Sequence, residues 1–260
     1  MRIVRFPVNN EARYGVLDAQ GEIRSLKAPP FESVDYGEER FRLHDVELLA
    51  PCEPSKVIGI GLNYRDHAEE IGLELPEEPM LFLMPDTAVI GPGQTIRLPE
   101  MSERVDYEGE LAVVIGRPAS RIRKEEAADY ILGYTCFNDV TARDLQVKDI
   151  QFTRSKGFDT FAPIGPWVVT ELDPTALDIE TYVNGTRKQR SNTRQLVFDP
   201  FFLVYFISWV MTLHPGDVIA SGTPAGIGPL ASGDRVEIRI QGIGSLVNEV
   251  APWKRDASGP

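Results

Sequence analysis

The chain is poor in cysteine, in basic charge and in long apolar runs, and each shortage closes off a class of function. Only Cys52 and Cys136 occur among 260 residues. They lie far apart with no Cys-x-x-Cys spacing, which argues against a disulfide framework and against a zinc or iron–sulfur site, and which suits a reducing cytoplasm. Lys and Arg number 27 against 39 Asp and Glu, a formal charge of −12. Nucleic acid and anionic membrane both call for basic surface, so neither is expected as a partner and a small molecule is. The greasiest stretch, residues 201–213 after Asp199-Pro200, falls short of the roughly 20 residues a bilayer span takes, and it reads as a buried helix. Met1-Arg-Ile-Val-Arg-Phe-Pro lacks the apolar core of a secretory signal, so no secretory route is expected and Asn184-Gly-Thr is a hairpin turn rather than a glycosylation site.

Strict βαβ alternation and internal repeats are missing too, which disfavours a doubly wound sheet. Gly59-Ile-Gly61 has no third glycine in register, since Tyr64 stands there, and no acidic residue follows a second strand; this excludes a dinucleotide site, and no organic cofactor is expected. A phosphate loop or basic cluster for a sugar or nucleotide enzyme is likewise absent. Short strand-like pieces at 2–6, 13–17 and 22–26 predict a small β-rich N-terminal domain over 1–50. Pro51-Cys-Glu-Pro54 breaks that pattern, the apolar strand 56–61 opens a main domain over 51–253, and a C-terminal tail follows at 254–260. Within the main domain the spacing predicts a short helix from Asn63 closed by Gly72, and helices at about 124–131, 140–149 and 200–213 among many short strands. The class is α+β, dominated by strands.

What the chain does hold is carboxylates in suggestive places. Val105-Asp-Tyr-Glu-Gly-Glu-Leu-Ala-Val-Val-Ile115 reads as a strand, and its Glu108 and Glu110, two residues apart, point to one face. Side by side they repel, and a hard divalent cation would relieve them. Asp139 ends a second apolar run from Tyr130 and can supply a third oxygen. A solvated strand face for the glutamates and a helix N-cap role for Asp139 are the plain alternatives. His67 and Glu70 sit three apart on the short helix, where the carboxylate can orient the imidazole as a general base; Glu69 is a neighbour, but helix phase favours Glu70. Lys156 is a single cation in an aromatic, glycine-containing segment suited to a partly dry pocket. The small-residue loop 221–228 offers the Thr223 hydroxyl and backbone amides to a carboxylate, as do the amides of 61–63.

Taken in order, these segments resemble the fumarylacetoacetate hydrolase family. The resemblance is carried by Gly61-Leu-Asn-Tyr-Arg-Asp-His-Ala-Glu-Glu70, Pro79-Met-Leu-Phe82, Tyr107-Glu-Gly-Glu-Leu-Ala-Val-Val114, Phe137-Asn-Asp-Val-Thr-Ala-Arg-Asp-Leu-Gln146, Ser155-Lys-Gly-Phe158 and Ser221-Gly-Thr-Pro224. It implies a strand-rich mixed β-sandwich roll with short helices, a homodimer, and a Mg²⁺ or Mn²⁺ site at Glu108, Glu110 and Asp139, where Ca²⁺ can stand in within a crystal. It implies His67 and Glu70 as the base pair on a lid, with Lys156 catalytic and Asn63, Arg143, Gln146 and Thr223 toward the substrate, a 2-oxo acid or dicarboxylate. Loops 72–78 and 148–154 would build the pocket for the substrate's tail.

Chelation of a substrate's C1 carboxylate and C2 carbonyl would favour an enolate as a neighbouring carbon–carbon bond breaks. With the His67/Glu70 pair intact, hydrolysis of an acylpyruvate or fumarylpyruvate is the leading expectation. Decarboxylation of an oxaloacetate-like acid, or isomerisation of 2-hydroxyhepta-2,4-diene-1,7-dioate, uses the same intermediate. Segments 157–161 and 163–166 resemble the isomerase branch. A non-catalytic protein with a structural Ca²⁺ is the alternative from another class.

Overall fold

Runs of β-branched and aliphatic residues broken every few positions by glycine or proline favour short strands, and strands dominate the molecule. The computed structural model describes residues 1–253, and the expected tail at 254–260 lies outside the described residues. An eleven-stranded sheet runs in the order Tyr36–Arg42, Glu22–Leu26, Glu11–Leu17, Arg2–Val8, Ala162–Val169, Ile131–Asn138, Gly109–Ile115, Val218–Ala220, Val57–Gly61 and Met80–Met84, with Val89–Ile90 paired to its fifth strand. A five-stranded sheet runs Thr186–Asn192, Asp178–Val183, Arg235–Ile240, Gly244–Pro252 and Thr95–Leu98. Three short pieces, Thr141–Ala142, Val105–Tyr107 and Gly228–Pro229, make a third.

The N-terminal strands do not form a sheet of their own. They join the large one where Arg2 pairs with Val169 and Ile3 with Val168. Tyr36–Arg42 was not among the expected strands, because it is an exposed edge whose polar run carries no apolar alternation.

Gly109–Ile115 is buried along its whole length. Leu111, Val113 and Ile115 face one core with Ile179, Ile238 and Leu246 of the second sheet, while Ala112 and Val114 face another with Phe137, Ile164 and Val218. Two-residue alternation thus places Glu110 on the Ala112 and Val114 side, at the strand's open end. Asn184 and Gly185, both at positive φ, turn the hairpin between Asp178–Val183 and Thr186–Asn192, as expected.

The helices are shorter than the sequence suggests. Residues 124–130 coil as a 3₁₀ helix, and the third expected helix begins only at Arg143, because Thr141 and Ala142 pair with Asp106 and Val105. Pro200–Val210 starts where the Asp199 carboxylate accepts the Phe202 N–H at 2.8 Å. It is buried on one face only, through Leu203, Val204 and Ile207, and leaves Trp209 and Val210 exposed. Among the described residues no helix is long and apolar enough to cross a membrane.

Candidate active site

Glu108, Glu110 and Asp139 converge at the ends of two neighbouring strands. Gly109 pairs with Asn138 across Gly109–Ile115 and Ile131–Asn138, and the Asp139 N–H donates to the Glu108 carbonyl at 2.9 Å. The Asn138 side-chain oxygen takes the Glu108 N–H at 3.0 Å. One ligand oxygen from each of the three carboxylates lies within 4.8 Å of the others, and all three side chains are buried. Asp139 is therefore no helix cap; the helix beyond it has Ala142 at its N-cap. These groups form the floor of a cavity of about 250 Å³ whose lining also includes His67, Arg143, Gln146, Lys156 and Thr223. Toward the mouth the walls turn apolar, with Ile71, Leu73, Met80, Phe82, Val147 and Phe152.

Two cations answer three acids. Lys156 is 2% exposed and sits on the short helix Thr153–Lys156. It reaches Asp139 at 2.5 Å and Glu108 at 3.0 Å, with the Phe82 ring centroid 5.2 Å away. Arg143 bonds Asp106 at 2.9 Å and also contacts Glu108 and Gln146. Burial opposes ionisation at all three acids, and the cations are shared unevenly. At Glu108, Lys156 and Arg143 overcome burial and hold the carboxyl at about 2. At Asp139 burial wins over Lys156, with Glu108 adding repulsion, and the group rises to about 7. Among the described residues no cation contacts Glu110; burial, Asp139 and Glu108 push it well up, against the more distant charge of Lys156 and the Gly222 N–H at 2.8 Å. Lys156 is raised by Asp139 and Glu108 in spite of its burial.

The imidazole lines the same cavity. His67 Nδ1 meets Glu70 at 3.0 Å, and the second Glu70 oxygen accepts the Gly226 N–H at 3.0 Å. Helix phase thus selects Glu70 over Glu69. Chain reversal at Leu62, with φ of 51°, carries the strand Val57–Gly61 into the helix Arg65–Ile71, and Gly72 closes that helix in the left-handed region.

The family description "Fumarylacetoacetate (FAA) hydrolase C-terminal" matches residues 56–251. The chain belongs to the fumarylacetoacetate hydrolase family. Residues 1–51 match "Rv2993c-like, N-terminal". An uncharacterised protein of Archaeoglobus fulgidus is 61% identical over 203 residues, 78% of this chain and 81% of that protein. A 5-carboxymethyl-2-hydroxymuconate delta-isomerase from Mycobacterium smegmatis superposes with a TM-score of 0.92 at 45% identity, over 97% of this chain and 100% of that one. A maleylpyruvate hydrolase from Sphingobium sp. SYK-6, solved with manganese(II) and pyruvate, does so with a TM-score of 0.82 at 31% identity, over 98% and 100%. The chain is an enzyme of the fumarylacetoacetate hydrolase family, acting on small molecules.

The fumarylacetoacetate hydrolase floor suits a hard divalent cation on its own geometry. Its donors are all oxygen, and Asp139 Oδ1 is buried with no hydrogen-bond partner. Asn63, expected against the substrate, has its side chain turned into the protein. It is fully buried, its amide donates to the Phe198 and Ser221 carbonyls at 3.0 and 2.8 Å, and its oxygen takes the Phe198 N–H at 2.8 Å. That saturated side chain anchors the loop after Ala220 and does not line the cavity. Backbone amides of the 221–228 loop are also spent inside the protein, on Glu110 and Glu70. Gly59 and Gly61 make room for Phe82 and Met80, whose atoms lie 2.1 and 2.8 Å from where a Cβ would stand, and Gly61 also lines the cavity. Two residues of the site went unseen in the sequence. Asp106, fully buried, ties Arg143 to Arg104, and Gln189, 1% exposed, ties the floor to the loop. Asp106 stands inside the strand-like run from Val105, in step with Glu108 and Glu110 and overshadowed by them, whereas Gln189 has no apolar periodicity or motif around it.

Proposed function

We propose that this enzyme hydrolyses a carbon–carbon bond of an acylpyruvate, with Mg²⁺ or Mn²⁺ held by Glu108, Glu110 and Asp139. The observation that carries the reading is one cavity with three buried acids on its floor, a buried ammonium between two of them, and an imidazole whose Nδ1 is already engaged. When bound, a divalent cation supplies Lewis-acid stabilisation of the negative charge that develops on the substrate's C2 oxygen. Lys156 offsets the charge of the floor against an anionic substrate, and Arg143 and Gln146 present polar groups beside it. Glu70 holds the Nδ1 proton of His67, which leaves Nε2 to take a proton from water attacking the C4 carbonyl. The C3–C4 bond breaks, its electron pair passes toward the C2 oxygen, and protonation at C3 yields pyruvate beside the carboxylic acid.

Apolar walls favour an acyl group over a second carboxylate. Both cations of the lining, Lys156 and Arg143, are taken by the protein's own acids. A second reading, isomerisation of a dienedioate, is favoured by the 45% identity to the Mycobacterium smegmatis isomerase. The proposal takes residues 51–253 as the catalytic unit, since all the lining lies between Ile60 and Thr223. It also takes the enzyme as a homodimer, with Trp209 and Val210, each 58% exposed, as apolar surface for a second copy.

The test is turnover with Mg²⁺ on acetylpyruvate, oxaloacetate and 2-hydroxyhepta-2,4-diene-1,7-dioate in parallel, with Glu108→Ala as control. Preference for acetylpyruvate, lost in the control, supports hydrolysis. Preference for the dioate replaces it with isomerisation.

A further inference from the structure

Gly109 stands between the two floor glutamates, and its backbone is not held by a neighbouring strand on its outer side. Val218–Ala220 runs alongside Gly109–Ile115, but its last pair is Ala220 with Ala112. Beyond it the exposed backbone edge passes to other groups. Ser221 donates both its N–H and its hydroxyl to the Leu111 carbonyl, at 3.0 and 2.7 Å. Gly109 is then gripped at both ends of its peptide: its N–H donates to Gln189 Oε1 at 3.0 Å, and its carbonyl accepts the Thr223 hydroxyl at 3.0 Å.

Gln189 closes this clamp. Its oxygen also accepts the Thr181 hydroxyl at 2.7 Å, and its amide donates to Thr223 Oγ1 at 2.9 Å and to the Pro224 carbonyl at 2.8 Å. All four hydrogen-bonding positions of the side chain are filled. It is the one fully buried residue of Thr186–Asn192, a strand otherwise exposed or half-buried. A buried amide with all its partners is worth little as net stability but fixes geometry, because no other arrangement satisfies it. What it fixes is the peptide joining Glu108 to Glu110 and, two residues past Pro224, the Gly226 N–H that holds Glu70 against His67. The Cβ of any residue at 109 would lie 2.2 Å from Thr181 Oγ1 and 3.2 Å from Gln189 Oε1, so the clamp closes only on glycine.

We infer that Gln189 is the positioning residue of this site, setting the separation of the two glutamate carboxylates and the angle of the loop that orients His67. The inference rests on the metal reading above. Gln189 holds the backbone between two acids rather than an acid itself. A group bonded directly to a metal ligand is worth about 10–100-fold in metal affinity, and the low end of that range is the effect expected here. The experiment is Mn²⁺ titration by calorimetry of the full chain as wild type, Gln189→Met, Gln189→Glu and Val236→Ala. Met keeps the length without the polar ends, and Glu keeps the acceptors while losing the two donated bonds. Val236 lies in the core of the same sheet, away from the clamp, and reports general loosening. Expected is a loss of at least about tenfold in Mn²⁺ affinity for Gln189→Met, or for Gln189→Glu where the methionine variant does not fold, with Val236→Ala within about twofold of wild type. Wild-type affinity in both Gln189 variants overturns the inference and leaves the metal site standing. An equal loss in Val236→Ala at a matched melting temperature also overturns it, since softening alone would then explain the effect. No Mn²⁺ binding by the wild type brings down the metal reading itself, and this inference with it.

Discussion

The edge of the large sheet and the floor of the cavity are built from the same side chains, arginine and carboxylate, and the two places use them to opposite ends. At the edge, Arg13 pairs with Glu39 and Arg40 with Glu22, each partner about a third exposed or more. Water already solvates those charges, so such pairs add little and carry no strain. On the floor, Lys156, Asp139 and Glu108 are each no more than 7% exposed, and the cations are too few for the acids. Burial then has no solvent to soften it, and the shortfall appears as two carboxyls driven upward in proton affinity, Glu110 and Asp139. A sheet edge neutralises its charges pairwise; a site leaves one cation's worth of work undone.

Breaking the floor should cost most. Asp139→Asn would take away one of the three proposed ligands and weaken one of the two contacts of Lys156, leaving its contact with Glu108. Turnover with Mg²⁺ is expected to fall by roughly 10³ or more, read as kcat on the best substrate. His67→Ala should lower kcat by about 10²–10⁴ while Mn²⁺ affinity stays within about twofold, which separates the base from the floor. Full hydrolysis by that variant would falsify the role of the imidazole.

Acidity sharpens the contrast more gently. Asp139 has a folded pKa raised above its ordinary 3.8 to about 7, so its contribution to stability is complete below 3.8 and is lost as pH rises toward 7; Glu110 shifts in the same direction. Metal-free protein in EDTA should therefore melt at lower temperature at pH 8 than at pH 6. Saturating Mn²⁺ should reverse the trend, because the ion competes with those protons. The smallest effect belongs to the edge: Arg40→Ala should change unfolding free energy by at most about 1 kcal/mol and leave kcat alone, measured by urea titration and initial rates.

How much of this was legible differs between the two regions for a physical reason. Ligands on a strand carry their own geometry, so the i, i+2 spacing of Glu108 and Glu110 and the abrupt polar end at Asp139 pointed to one place before any coordinates. The His67 and Glu70 pair followed from helix phase alone. At Asn63 the motif marks a position without saying whether the side chain faces ligand or fold; here its three hydrogen bonds go to Phe198 and Ser221. Tyr36–Arg42 was invisible since an edge strand in water needs no apolar alternation. Gln189 was invisible for a related reason, a polar residue in the polar run Thr186-Arg-Lys-Gln-Arg-Ser-Asn192, whose burial depends on partners 80 residues away at Gly109 and 34 away at Thr223.

The strand Gly109–Ile115 has a core on each face, with Ile131–Asn138 paired along its whole length on one side and Val218–Ala220 paired to Ala112, Val113 and Val114 on the other. Its backbone can open only with the sheet around it, whereas His67 and Ile71 ride on a helix of seven residues and Leu73 and Phe152 of the apolar walls lie outside helix and strand. The two halves of the cavity therefore differ in how freely each can accommodate a substitution. A substitution at the mouth can be absorbed where it falls, while a change on the carboxylate floor is transmitted to the sheet that carries it.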